Sequence, residues 1–148
     1  MRCKVEKECL FFDNQQEIRV YIEKIIKSHN PLFIAAWLDW GEICLSDDRE
    51  VYKIWIIDNN ESASYYSVCA NNKISIKNPI TLSKKFICEL VELLNSGFDR
   101  YTRNFDCCDG CIWVMKYFNG NQLHTFEGYI YGNEYLESIA EKIKSLNF

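Results

Sequence analysis

Apolar residues recur along this chain with two periods, and the switches between them mark out its elements. Residues 5–12 read as a first strand diluted by Lys and Glu. Asp13-Asn14-Gln15-Gln16-Glu17 then opens a helix: Asn14 can accept from its exposed amides, with Glu17 placed as in a capping box. Ile18, Tyr21, Ile22 and Ile25 follow at helical spacing, and Glu23 and Lys27 pair on the outer face. Asn30-Pro31 ends the helix, because the residue before a proline avoids the α region.

Residues 32–40 are apolar almost throughout and fit a buried strand or a short helix equally well, since periodicity does not separate the two. Residues 51–57 predict a strand with Tyr52, Ile54 and Ile56 on one face. Residues 65–70 and 73–77 flank Asn71-Asn72 and predict a hairpin. In its second arm Lys73, Ser75 and Lys77 alternate with Ile74 and Ile76, so one face is expected wet and the other buried. These segments form an antiparallel meander. A second helix is expected over residues 83–95, with Ile87, Leu90, Val91 and Leu94 on one face and Gly97 near the C-terminal cap. Residues 98–110 read as a polar, irregular connection.

Residues 111–118 and 122–131 predict two strands joined through Asn119-Gly120, the strongest short hairpin signal in the chain. Gly132-Asn133 opens a last helix that turns Leu136, Ile139, Ala140 and Ile143 inward. Helices separated by meanders, without βαβ alternation, predict one α+β domain over residues 1–148: a largely antiparallel sheet with three helices packed on it.

Composition changes this picture in a few places. The 148 residues suffice for one core, and the net charge of −4 argues against a nucleic-acid partner, which needs a concentrated cationic face. No apolar run reaches the roughly 18 residues that span a bilayer, and the first residues lack the apolar core of a signal peptide. A cytoplasmic location is therefore expected, with no membrane partner. The eight cysteines are then expected as reduced, mostly buried thiols.

Candidate chemistry is sparse. Cys108 and Cys111 have the C-x-x-C spacing that grips zinc or forms a redox disulfide, yet no second pair with ligand spacing accompanies them. The two histidines, His29 and His124, mark no nucleophile; His29 is expected to complement the dipole at the end of the first helix. Acids at Glu42, Asp47, Asp48, Glu50, Asp106 and Asp109 lie in polar segments and read as solvated. No phosphate-cradling or nucleophile-elbow motif occurs, so the chain is expected to be neither an enzyme nor a cofactor carrier. Aromatic residues, 15% of the chain, are the more telling feature. Trp55 and Trp113 suit the core, whereas Tyr65, Tyr129 and Tyr131 suit partly exposed positions and are of the type that anchors protein interfaces.

The segment Asp109-Gly110-Cys111-Ile112-Trp113, the Asn119-Gly120 turn, Glu127-Gly128-Tyr129-Ile130-Tyr131-Gly132-Asn133 and the closing helix together resemble the ending of small bacterial α+β immunity proteins of polymorphic toxin systems. The resemblance covers the last third of the chain and rests mostly on structural elements. It implies a stoichiometric inhibitor that docks on a cognate toxin domain and occludes its active site. The acidic net charge adds association rate if that toxin is basic. Contact candidates on this reading are Asp47, Asp48, Glu50, Trp40 and Tyr65. Two rival readings remain: a small-ligand or oligomeric module assembled through a tyrosine-rich sheet, and a zinc or thiol protein using Cys108 and Cys111.

Overall fold

A computed structural model describes residues 8–11, 15–39, 49–105 and 111–148. Strand β1 (Glu8–Phe11) leads to helix α1 (Gln15–Lys27) and strand β2 (Pro31–Asp39). The meander β3 (Glu50–Asp58), β4 (Ser62–Cys69), β5 (Lys73–Ile76) follows, and β6 (Ile80–Thr81) leads into α2 (Lys84–Asn95). A short 3-10 turn (Phe98–Arg100), β7 (Arg103–Asn104), the hairpin β8 (Cys111–Asn119) and β9 (Gln122–Gly128), and α3 (Glu134–Lys144) complete the chain. The fold is α+β. Among the described residues one nine-stranded sheet runs in the order β1-β5-β4-β3-β2-β8-β9-β7, with β6 on β4. Every pairing is antiparallel except β7 with β9.

Residues 31–39 form the central strand. β2 pairs with β3 on one side and β8 on the other, and Phe33, Ile34, Ala35 and Ala36 are all buried. A strand covered on both faces needs apolar side chains in both directions, so it carries no alternation to read. Across its ends Asp39 and Arg49 form an ion pair that holds β2 and β3 together on either side of residues 40–48.

The sheet is covered on both faces. Ile22 of α1, with Tyr21, Ile25 and Ile26, packs on an aliphatic cluster of Ile34, Ala36, Ile54, Ile56, Val68, Ile74 and Ile76. Because β1 lies four positions from β2 in the sheet, the connecting helix has to cross roughly 19 Å of strands. A helix of 13 residues, about 20 Å long, does so. Leu90 and Leu94 of α2 and Leu136, Ile139, Ala140 and Ile143 of α3 pack on the other face, against Phe33, Trp55, Met115 and Phe126. Fully burying each such side chain contributes about 1.5–3 kcal/mol.

Caps appear where local chemistry predicts them. Ser83 Oγ accepts from Phe86 N (3.1 Å), and Asn133 Oδ1 accepts from Leu136 N (3.0 Å). Gly97, by contrast, is not a left-handed cap: its φ of 167° is extended, and Ser96 ends α2 by donating to Glu92. The hairpin turn also shifts by one residue. Asn119 pairs with Gln122, so Gly120 and Asn121 are the central pair, with Gly120 at φ 60°, the position a type II′ turn gives to glycine. Ser75 is buried rather than wet, and stands opposite Ser67, which is buried too. Residues 98–105 are not merely irregular: Phe98 is fully buried, and Arg103-Asn104 adds a strand to β9.

That last pairing depends on one glycine. Gly128 has φ 140°, and a Cβ there would overlap the carbonyl oxygen of Asn104, which accepts from Tyr129 N at 2.7 Å. Asn104 Nδ2 in turn donates to Tyr129 O at 3.1 Å. Replacing Gly128 with Ala therefore forces β7 off the sheet. The expected loss is about 2–3 kcal/mol in urea unfolding, with faster amide exchange at Tyr129; a variant as stable as the parent would show that the close approach is dispensable.

Candidate functional site

Strand parity places the aromatic residues on one face. Trp55 of β3 stands directly opposite Tyr65 of β4, and Trp37 of β2 directly opposite Trp113 of β8. Trp55 and Trp113 belong to strands separated by β2, yet their rings stack with centroids 5.8 Å apart. They meet beside Ala35, whose methyl side chain leaves the space above the strand open. Tyr65 leans on Trp55 at 5.3 Å and on Phe148 at 5.5 Å. Lys53 Nζ lies 4.8 Å from the Trp37 ring centre, close enough for a cation–π contact.

This row opens into a groove of about 450 Å³ at the end of the sheet. Trp37, Trp113 and Cys111 form part of its lining, Tyr129-Ile130-Tyr131 one lip, and Glu137, Glu141 and Lys144 of α3 the other. The first lip is held in place from both sides. Asn104 grips the backbone of Tyr129, and Gly132 N donates to Glu137 Oε1 at 3.1 Å. Tyr131 is 79% exposed, a degree that a core role does not explain. Indole faces beside two carboxylates suit an apolar side chain with a neighbouring cation.

The sequence-based contact candidates divide. Glu50 and Tyr65 do come together, but in a hydrogen bond with each other, Tyr65 Oη donating to Glu50 Oε2 at 2.6 Å. Asp47, Asp48 and Trp40 lie outside the described residues, as do Cys108, Glu42, Asp106 and Asp109. Cys69, Cys88 and Cys111 are thiols, and Cys88 is exposed. Among the described residues no His, Cys, Asp and Glu side chains gather into a metal-binding group, and no helix is long and apolar enough to cross a membrane. Trp55 and Trp113 are buried, while Tyr65 and Tyr129 are half-buried. Glu137 and Glu141 escaped sequence reasoning. Their one signal is the spacing of Glu137, Glu141 and Lys144 along the flank of the buried stripe of α3.

A second polar cluster lies on the α1 side. His29 does not simply complement the helix dipole: its Nδ1 lies 2.7 Å from Asp58 Oδ2 and its Nε2 3.0 Å from Tyr66 Oη. Nδ1 and the Asp58 carboxylate share one hydrogen bond, and Nε2 shares another with the Tyr66 hydroxyl, which can donate or accept. Among the described residues, Oδ1 of Asp58 is buried without a hydrogen-bond partner. An Asp–His pair with a hydroxyl beyond it has the outline of a catalytic relay. Burial pushes the Tyr66 hydroxyl above its ordinary range, opposed by a hydrogen bond with Ser64 and helped by smaller contributions from Asp58 and Tyr21. The cluster is a latch between the end of α1 and strands β3 and β4. Nothing in the sequence flags it, because its members are 29 and 37 residues apart.

No protein-family model matches the chain, and no curated protein sequence matches it.

Truncating His29 to Ala leaves Asp58 buried with neither oxygen paired, which is expected to cost roughly 2–4 kcal/mol, whereas Tyr66→Phe removes one hydrogen bond and about 1 kcal/mol. Urea unfolding of the two variants checks the ranking; equal losses would mean that Asp58 gains little from the imidazole.

Alkaline pH offers a different readout. Tyr52, Tyr65, Tyr66, Tyr117 and Tyr135 are all held above the ordinary tyrosine value of 10.0, chiefly by burial, and for Tyr65 also by the Glu50 acceptor. The folded chain keeps these protons where the unfolded chain loses them. Their stabilising effect is therefore complete below the ordinary value and falls as pH rises above it. The urea midpoint should drop between about pH 9 and about pH 11, while tyrosinate absorbance shows only part of the nine tyrosines titrating before unfolding. Titration of all nine in the folded state would contradict the burial.

Proposed function

We propose that this chain is a non-enzymatic protein-binding protein that acts inside the cell and receives an apolar anchor of its partner in the aromatic groove. The partner is a toxin domain, which the chain neutralises as an immunity protein by binding it in a one-to-one complex and covering its active site. The observation that carries the binding role is the groove itself: exposed Tyr131 and half-buried Trp37 beside Glu137 and Glu141. Aromatic residues of this kind are the usual anchors of interfaces, and carboxylates at the rim favour a basic partner. The toxin identity draws on the resemblance of residues 109–148 to immunity proteins, and the net charge of −4 is compatible with it.

The test is recovery of the partner from the native cell with the tagged chain under reducing conditions, followed by titration of the purified pair. One partner bound one-to-one, with a toxic activity that vanishes on binding, is the expected result. Tyr131→Ala and Glu141→Lys should each weaken the complex roughly tenfold or more, because central aromatic and paired charged positions dominate interface energy. Reversing Asp47 and Asp48 should lower the association rate. A complex indifferent to both groove substitutions would place the interface elsewhere, and a partner whose activity survives binding would exclude the inhibitor role.

A further inference from the structure

The α3 wall of the aromatic groove carries charge. Glu137, Ala140, Glu141 and Lys144 line it at helical spacing, so two carboxylates flank a methyl group. Among the described residues neither carboxylate joins an ion pair; the lysines nearby, Lys142 and Lys85, pair with Glu89 instead. Glu137 Oε1 accepts from Gly132 N, which fixes this side chain beside the lip. Lys144 offsets one of the two charges and leaves the wall net negative. Glu141 also stands in the last turn of α3, where the partial negative charge of the helix end adds to its own.

From the sheet, Trp37 and Trp113 line the same groove, with exposed Tyr131 on the lip. Lys53 Nζ, 4.8 Å from the centre of the Trp37 ring, shows one of these rings already meeting a cation. A ligand that matches both features is apolar along its length, flat enough to lie on a ring and cationic at its tip. Among side chains arginine combines all three. Its methylene stem covers apolar surface, its guanidinium stacks on aromatic faces, and its fork of N–H donors reaches two carboxylate oxygens at once. Lysine supplies the stem and the charge without the plane, and its ammonium holds water more tightly. A purely apolar side chain would leave both carboxylates without a counter-charge.

Building on the binding role proposed above, we infer that the groove is specific for arginine. It receives one arginine side chain of the protein partner, with the stem against Trp37 and Trp113 and the guanidinium between Glu137 and Glu141. The stem is then the apolar anchor, and the guanidinium of the same residue is the cation that the rim carboxylates favour. A groove of about 450 Å³ admits that side chain together with parts of its neighbours. Tyr131 packs on the stem from the lip, which gives its exposed ring a role.

Calorimetric titration of the full chain with blocked peptides tests this. The probes carry arginine, lysine or citrulline between two leucines; citrulline keeps the shape of arginine and loses the charge. The arginine peptide should bind saturably, about tenfold tighter than the citrulline peptide and more tightly than the lysine peptide. Glu137→Gln combined with Glu141→Gln keeps an oxygen for Gly132 N, and should bring the arginine and citrulline peptides to equal affinity with an unchanged circular dichroism spectrum. Equal affinity for these two peptides in the parent chain overturns the inference. So does an arginine preference that survives the double substitution, a lysine peptide that binds as well, or the absence of saturable binding. The binding role fails separately. If Tyr131→Ala weakens the native complex while the parent chain does not prefer arginine, the binding role stands and the arginine site falls. If the preference is present and no toxin is recovered from the cell, the site stands and the inhibitor role falls.

Discussion

Burial of β2 on both faces is the constraint on which the rest of the structure depends. It is the one strand that joins the N-terminal meander to the C-terminal hairpin, through its register with β3 on one side and β8 on the other. Each face of it belongs to a different cluster: Phe33 and Ala35 to the core under α2 and α3, Ile34 and Ala36 to the core under α1. A polar residue at any of these positions would leave an unpaired group between packed layers, which costs more than most single substitutions. The small side chain of Ala35 matters as much as its apolarity, because the stacking of Trp55 on Trp113 takes place beside it.

The two faces then acquire different characters. Beneath α1 the contacts are mainly aliphatic, tied at one end by His29, Asp58 and Tyr66. Beneath α2 and α3 the cluster is rich in aromatic rings, and near the end of the sheet, beside α3, it opens into the groove. Tyr135 and Lys142 link α3 to α2 through Leu93 O and Glu89, so the acidic wall of the groove is fastened to the core instead of standing free. On the other wall Asn104 and Gly128 set the course of Tyr129 and Tyr131. A preformed surface of this kind loses little conformational freedom on binding, which is what makes exposed aromatic side chains effective anchors.

Most elements were legible because each answers to local physics. The helical stripes Tyr21, Ile22, Ile25 and Leu136, Ile139, Ala140, Ile143 turn inward as their spacing requires, and Ser83 and Asn133 lie at helix starts because their side chains replace missing backbone partners. The errors have local causes too. The hairpin turn slipped by one residue because Asn119-Gly120 and Gly120-Asn121 both place glycine in a tight turn, and only cross-strand register separates them. Arg103-Asn104 read as loop because a two-residue strand has no period to detect.

By itself, the sequence determined the α+β class, the order of the elements, the inward faces of the helices and the membership of Trp55 and Trp113 in the core. Those properties depend on spacing along one segment, and spacing is what a sequence records. Only the tertiary structure decided that residues 31–39 are the central strand, that His29 meets Asp58 and Tyr66, that Glu50 and Tyr65 bond to each other, and that Trp37, Tyr131 and Glu141 share a groove. Each of these joins residues far apart in the chain, and their distance is set by strand order and register across the sheet, which no single segment encodes.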